Sequence, residues 1–136
     1  MHIVPFATPH LPGVLALCTA EGWPTYPADP ARAQATFRAP GTLTLVALDG
    51  GEVIAFAHAL TNGLRLYLAE IATAAHRRGE GIARELITEL FRRSGAAKID
   101  LLTDTAAEFY AAFPHRTFTG FRLYPDDGSS APPNMG

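Results

Sequence analysis

The chain has one cysteine, Cys18, and one lysine, Lys98. A lone cysteine excludes an internal disulfide and leaves no cysteine framework for zinc. Its apolar neighbours Val14, Leu15 and Leu17 read Cys18 as a buried, inert thiol. With no lysine before Lys98, a Gly-Lys-Ser/Thr phosphate loop is excluded too. Charge is sparse, at 18% of residues with a formal net charge of −2. That argues against a dedicated nucleic-acid binder, whose domain is usually basic. Long apolar runs are also missing. The residues before Glu21 carry no Lys, Arg, Asp or Glu, but Pro5, Pro9 and Pro12 interrupt them. Neither a signal peptide nor a membrane-spanning helix fits that pattern, so a cytoplasmic location with no membrane partner is the expectation.

What is present is a globular composition, 48% hydrophobic over 136 residues. That length suits one domain, which can remove about two-thirds of its unfolded surface from water without a metal or disulfide staple. Residues 126–136 are polar, rich in Pro and Gly, and lack any core-forming pattern. They read as a flexible tail on a domain spanning residues 1–125.

Periodicity and punctuation supply the elements. Residues 2–6 read as a strand. Thr8-Pro9 then reads as a cap and first helical position, opening a helix to about Ala20. A loop over residues 23–28 carries Trp23 and Tyr26, and Asp29-Pro30 opens a second helix to about Arg38. β-rich runs at residues 42–48, 52–60 and 64–73 are separated by Asp49-Gly50-Gly51 and Asn62-Gly63, both strong turn signals. They predict an antiparallel meander. Helical spacing takes over at residues 81–94, with Ile82, Leu86 and Leu90 on one face and Gly95 as the stop. A strand at 98–103 completes a parallel βαβ unit. Thr105 and Glu108 read as a capping box for a short helix to Phe113, and residues 118–124 as a last strand. The fold expected is α/β: a mixed sheet, with the meander followed by the βαβ unit and helices on both faces.

The most informative stretch joins the third meander strand to the long helix. The first amides of a helix have no internal partner, and Gly79 and Gly81 put no side chain in the way of a ligand approaching them. Arg77 and Arg78 add positive charge to that of the helix dipole. The expectation is a phosphate or pyrophosphate cradle. A Rossmann fingerprint is excluded, because Arg84 stands where its third glycine belongs. A helix start with two turn glycines and two solvated arginines is the plainer alternative.

Arg78-Gly79-Glu80-Gly81-Ile82-Ala83 resembles the Arg/Gln-x-x-Gly-x-Gly/Ala motif of the GNAT superfamily of N-acetyltransferases. The order of elements over residues 2–125 resembles that fold as well. The resemblance implies that the amides from Arg78 through Ala83 (Arg78, Gly79, Glu80, Gly81, Ile82, Ala83) bind the pyrophosphate of acetyl-CoA. It implies that the backbone of Ile71, Ala72 and Thr73 pairs with the pantetheine arm. Thr73 replaces the family's usual Val, which a backbone contact survives, and Ala75-His76-Arg77 replaces its frequent Pro-acid-aromatic triplet. No metal is implied.

A second match is the pair Phe109-Tyr110 followed by Gly120-Phe121. The family's tyrosine protonates the leaving thiolate, and a phenol, neutral at pH 7 with one proton to donate, suits that task. A tyrosine with its ring in the core and its hydroxyl wet is the alternative for Tyr110. For the base, Glu70 lies in an otherwise apolar strand, where burial would raise its pKa usefully. Strict alternation places Glu70 on the face of Leu66 and Leu68, unless a bulge changes the facing. Pairing with Arg65 or another arginine is its plainer role. His58, His115 and water are further candidates. Family position makes Trp23 and Tyr26 lining residues of the acceptor pocket, against the alternative that they merely pin their loop.

Together these imply an N-acetyltransferase moving an acetyl group from acetyl-CoA to an amine by direct attack in a ternary complex. A non-catalytic acyl-CoA-binding or sensor module of the same fold is the rival. The amine, a small molecule or a peptide, and the oligomeric state, a homodimer included, stay open.

Overall fold

Residues 1–126 are described by a computed structural model. The strands are β1 (His2–Pro5), β2 (Thr42–Asp49), β3 (Glu52–Thr61), β4 (Arg65–Thr73) and β5 (Lys98–Asp100). The helices are α1 (Leu11–Glu21), α2 (Thr25–Ala28), α3 (Pro30–Phe37), α4 (Ile82–Ser94) and α5 (Ala107–Ala111). One sheet runs in the order β1-β2-β3-β4-β5, antiparallel throughout except for the parallel pair β4 and β5. The meander and the βαβ unit are therefore both present.

The turns follow from local chemistry. Gly50 and Gly51 both have positive φ, 57° and 83°, and close the β2–β3 hairpin with Asp49 opposite Glu52. Two left-handed residues in succession match the twist of the strands, and glycine adopts them without strain. At the next turn the Asn62 side-chain oxygen accepts from the amides of Leu64 and Arg65, the local bond that makes asparagine a turn residue.

Helices cover both faces. Ile82, Leu86, Ile87 and Leu90 of α4 pack on Leu45, Ala55, Ala57, Leu66 and Leu68. On the other face Val14, Leu17 and Cys18 of α1 and Ala33 and Phe37 of α3 pack on Val46, Phe56 and Ala72. Cys18 is fully buried, as its apolar setting predicts.

Several local expectations are corrected. Residues 118–124 form no strand; Phe118, Phe121 and Leu123 are exposed. β-forming residues make a strand only where a ladder partner is supplied, and β5 is just three residues long. The loop around Tyr26 contains the helical turn α2. Thr8 lies inside a 3₁₀ turn, Thr8–His10, where the Ala7 amide donates to His10 Nδ1. Asp29 caps α3 as read, accepting from the Arg32 amide at 3.1 Å. The Thr105–Glu108 capping box does not form. Thr103 Oγ1 takes the Ala106 amide instead, and α5 ends at Ala111 rather than Phe113. The tail expected at residues 126–136 lies, apart from Asp126, outside the described residues.

Candidate active site

β4 has a neighbour on both sides only at its start. β5 pairs with Arg65, Leu66 and Tyr67 and then ends. Among the described residues no strand continues along that edge. On the other side β4 stays paired with β3 through Thr73, but its register shifts between His58 and Ala59, so that Glu70 faces His58 and Leu68 faces Ala59. Ala69 is the extra residue of this bulge. A bulge bends its strand and tightens the local twist, and this one falls just past the point where pairing with β5 stops. The backbone edge of Ile71, Ala72 and Thr73 lies beyond that point.

The chain then passes through a 3₁₀ turn, Ala75–Arg77, into α4. Gly79 and Gly81 have φ of 80° and 82°. An added Cβ at either position would meet nothing within 4 Å. Gly81 is the N-cap, and no side chain caps the helix. The first intrahelical bond runs from the Glu85 amide to the Gly81 carbonyl, 3.0 Å. The amides of Ile82, Ala83 and Arg84 thus precede the helical ladder. A cleft of about 260 Å³ opens over this turn, lined by Thr73, Arg78, Gly79, Gly81, Ala83 and Phe109 among others. Backbone donors, glycine-cleared space and a dipole of the right sign fit a pyrophosphate.

The two arginines are already engaged. Arg77 holds Asp49 at 2.6 Å and Glu80 at 3.1 Å. Arg78 holds Glu21 at 2.7 Å. They brace the turn against the β2–β3 hairpin and α1, pairs between residues far apart in sequence that no local signal foretells.

Glu70 is on the face of α1 and α3, not with Leu66 and Leu68. Alternation fails because Ala69 inserts one residue between the two halves of the strand. Tyr26 Oη donates to Glu70 Oε1 at 2.6 Å, while Oε2 is buried without a hydrogen-bond partner. Glu70 is only 8% exposed. Burial pushes its carboxyl above the ordinary value; the Tyr26 hydrogen bond and the charge of Arg122 pull part of the way back. Burial also raises the Tyr26 phenol. His58 sits opposite Glu70 in β3, with Nδ1 2.7 Å from Thr44 Oγ1, and burial lowers its pKa to about 4. It is therefore neutral at pH 7.

Tyr110 lies on the α4 side of the sheet, partly buried and 5.0 Å from the ring of Phe109 between centroids. Burial raises its phenol, which keeps the proton on the oxygen at neutral pH. Its neighbour Phe109 lines the cleft. His115 is exposed, its Nδ1 2.8 Å from the Phe113 carbonyl. Trp23 and Tyr26 both pack against the α1–α3 core. The bond between Tyr26 and Glu70 was not foreseen: the pair is separated by 44 residues, and nothing local couples them.

A mixed sheet whose fifth strand stops short, beside a glycine-cleared helix start without a side-chain cap, frames the candidate site. The chain belongs to the acetyltransferase (GNAT) family, whose model matches residues 11–113. Solved structures share the fold. An aminoglycoside N-acetyltransferase, AAC(6')-Iy in complex with CoA, is 21% identical with a TM-score of 0.76, over 93% of this chain and 94% of that one. A protein of Bacillus halodurans C-125 described as a transcriptional regulator is 18% identical with a TM-score of 0.73, over 90% and 98%. An apo aminoglycoside 6'-N-acetyltransferase from Acinetobacter haemolyticus is 16% identical with a TM-score of 0.70, over 92% and 97%. At these identities the likeness establishes the fold alone. No curated protein matches the chain.

Proposed function

We propose that the chain moves the acetyl group of acetyl-CoA onto the amine of a small-molecule acceptor, by direct attack within a ternary complex. The observation that carries this is the end of the β4–β5 ladder at Tyr67, which leaves the edge of Ile71–Thr73 unpaired on that side, with Thr73 lining the cleft over the Gly79–Gly81 turn. Acetyl-CoA supplies the activated acyl group. The amides from Arg78 through Ala83 hold its pyrophosphate, and the backbone of Ile71, Ala72 and Thr73 aligns the pantetheine arm as an added strand. Glu70 takes a proton from the acceptor's ammonium. Tyr110 gives its hydroxyl proton to the departing sulfur. A buried carboxylate favours a cationic acceptor, and the aminoglycoside acetyltransferases among the similar structures support a polar amine.

The test is a panel of amino sugars, amino acids, polyamines and peptides offered with acetyl-CoA, with free thiol read as it forms. Amine-dependent thiol release with a stoichiometric acetylated product is the expected result. Tight acetyl-CoA binding with equally slow thioester cleavage for every amine would instead establish the non-catalytic module. The burial of Glu70 is the observation on that reading's side.

A further inference from the structure

Around Glu70 the structure assembles a small set of titratable groups from separate elements. Tyr26 comes from α2 and donates to Oε1. His58 comes from β3, directly across the ladder. Cys18 comes from α1, and burial first, then the charge of Glu70, pushes its thiol up to about 12. Arg122, from the segment after α5, acts on Glu70 through its charge. At neutral pH the phenol, the imidazole and the thiol are all uncharged. Burial raises the Glu70 carboxyl, while the Tyr26 hydroxyl, the neutral donor that meets it, and the charge of Arg122 favour its charged form.

The ring of Tyr26 is held in place. It packs on Phe37 with centroids 4.8 Å apart and edge-on to His58 at 6.5 Å. Phe37 in turn lies 5.2 Å from His58. The Tyr26 hydroxyl is engaged by a buried carboxylate.

We propose that Tyr26 is a positioning residue for Glu70: its hydroxyl occupies Oε1 at 2.6 Å, fixes the carboxylate's orientation, and leaves the partnerless Oε2 as the atom that accepts the acceptor's proton. The inference rests on the acetyl-transfer reading above. One proton moves from the acceptor's ammonium to Oε2, giving a neutral amine and a neutral carboxyl, while the Tyr26 proton stays on Tyr26. A hydrogen bond to a carboxylate favours its charged form, so removing the hydroxyl makes Glu70 harder to ionise. The acidic limb of the pH profile then moves to higher pH, and activity converges with the parent's once Glu70 is ionised in both.

Tyr26→Phe keeps the ring and its packing, so the fold is preserved; a urea melt checks this. With an acceptor from the panel, kcat/KM should fall about tenfold on the acidic limb, the size expected for one hydrogen bond to a charged group. It should recover at alkaline pH, with the acetyl-CoA dissociation constant unchanged. In a Glu70→Gln background the same change should add nothing. Carbon-13 NMR of glutamate carboxyls, assigned by their loss in Glu70→Gln, reads the Glu70 titration without any turnover, and it should move upward in Tyr26→Phe. A loss uniform across pH, or an unmoved Glu70 titration, would overturn the proposal. If no amine is acetylated yet the titration moves, the link between Tyr26 and Glu70 stands and the acetyl-transfer reading falls.

Discussion

Gly81 separates two effects that a single substitution would confuse. Its φ of 82° is left-handed, and it caps α4 beneath the cleft. Any residue with a Cβ is strained there, at roughly 1–2 kcal/mol. Because an added Cβ would meet nothing within 4 Å, no steric clash adds to that figure. Gly81→Ala should therefore lower stability by about 1–2 kcal/mol and leave the cleft open. Gly81→Glu carries the same strain but also sends a carboxylate toward the site assigned to the pyrophosphate. Losing one or two charge-assisted hydrogen bonds, each about 1.5–3 kcal/mol, weakens binding by at least about tenfold. Isothermal calorimetry with acetyl-CoA, beside urea melts of both variants, measures each part. The expected pattern is equal destabilisation and unequal affinity. If Gly81→Glu binds acetyl-CoA as tightly as Gly81→Ala, the turn is not where the pyrophosphate sits.

Tyr110→Phe should cut turnover about 10²–10⁴-fold in a chemistry-limited assay while acetyl-CoA affinity holds; unchanged turnover removes Tyr110 from the reaction. Gly13→Ala should destabilise despite alanine's helix preference of about 1 kcal/mol, because the new Cβ would lie 2.6 Å from Val53 Cβ and overpacking costs about 1–3 kcal/mol; an upward shift of the urea midpoint would refute this. The Cys18 thiol, raised to about 12 by burial, should resist thiol reagents at pH 8 until the protein unfolds. With the folded pKa above the unfolded value of about 8.5, its contribution to stability is complete below that pH and is lost as pH rises toward 12. Urea melts across that range should show the decline.

What was legible in the sequence was mostly local. Asp49-Gly50-Gly51 and Asn62-Gly63 mark their turns because left-handed backbone and side-chain-to-amide bonds need those residue types. The α4 stripe and the Gly79–Gly81 start are equally self-contained. The α4 face of β4 is legible only as far as Leu68, since a bulge at Ala69 leaves no mark in an alternation of apolar residues. The strand expected at residues 118–124 illustrates the opposite failure. Its β-rich composition is real, but a ladder needs a neighbour, and composition does not report neighbours. The pairings of Arg77 with Asp49, Arg78 with Glu21 and Tyr26 with Glu70 are all products of the tertiary fold, and they redefine what those side chains do.

Ala69 contributes no chemistry, yet it sits where β4 loses β5 as a neighbour. Delete it, and Leu66, Leu68, Glu70, Ile71 and Ala72 all keep the faces they now have, because the bulge's extra residue is what is removed. The healed strand would run straight on, free to zip up with a longer β5. Such a protein would be the better sheet, with a continuous ladder and fewer exposed amides, and it would have no doorway. At this one alanine a continuous ladder and an open strand edge are mutually exclusive.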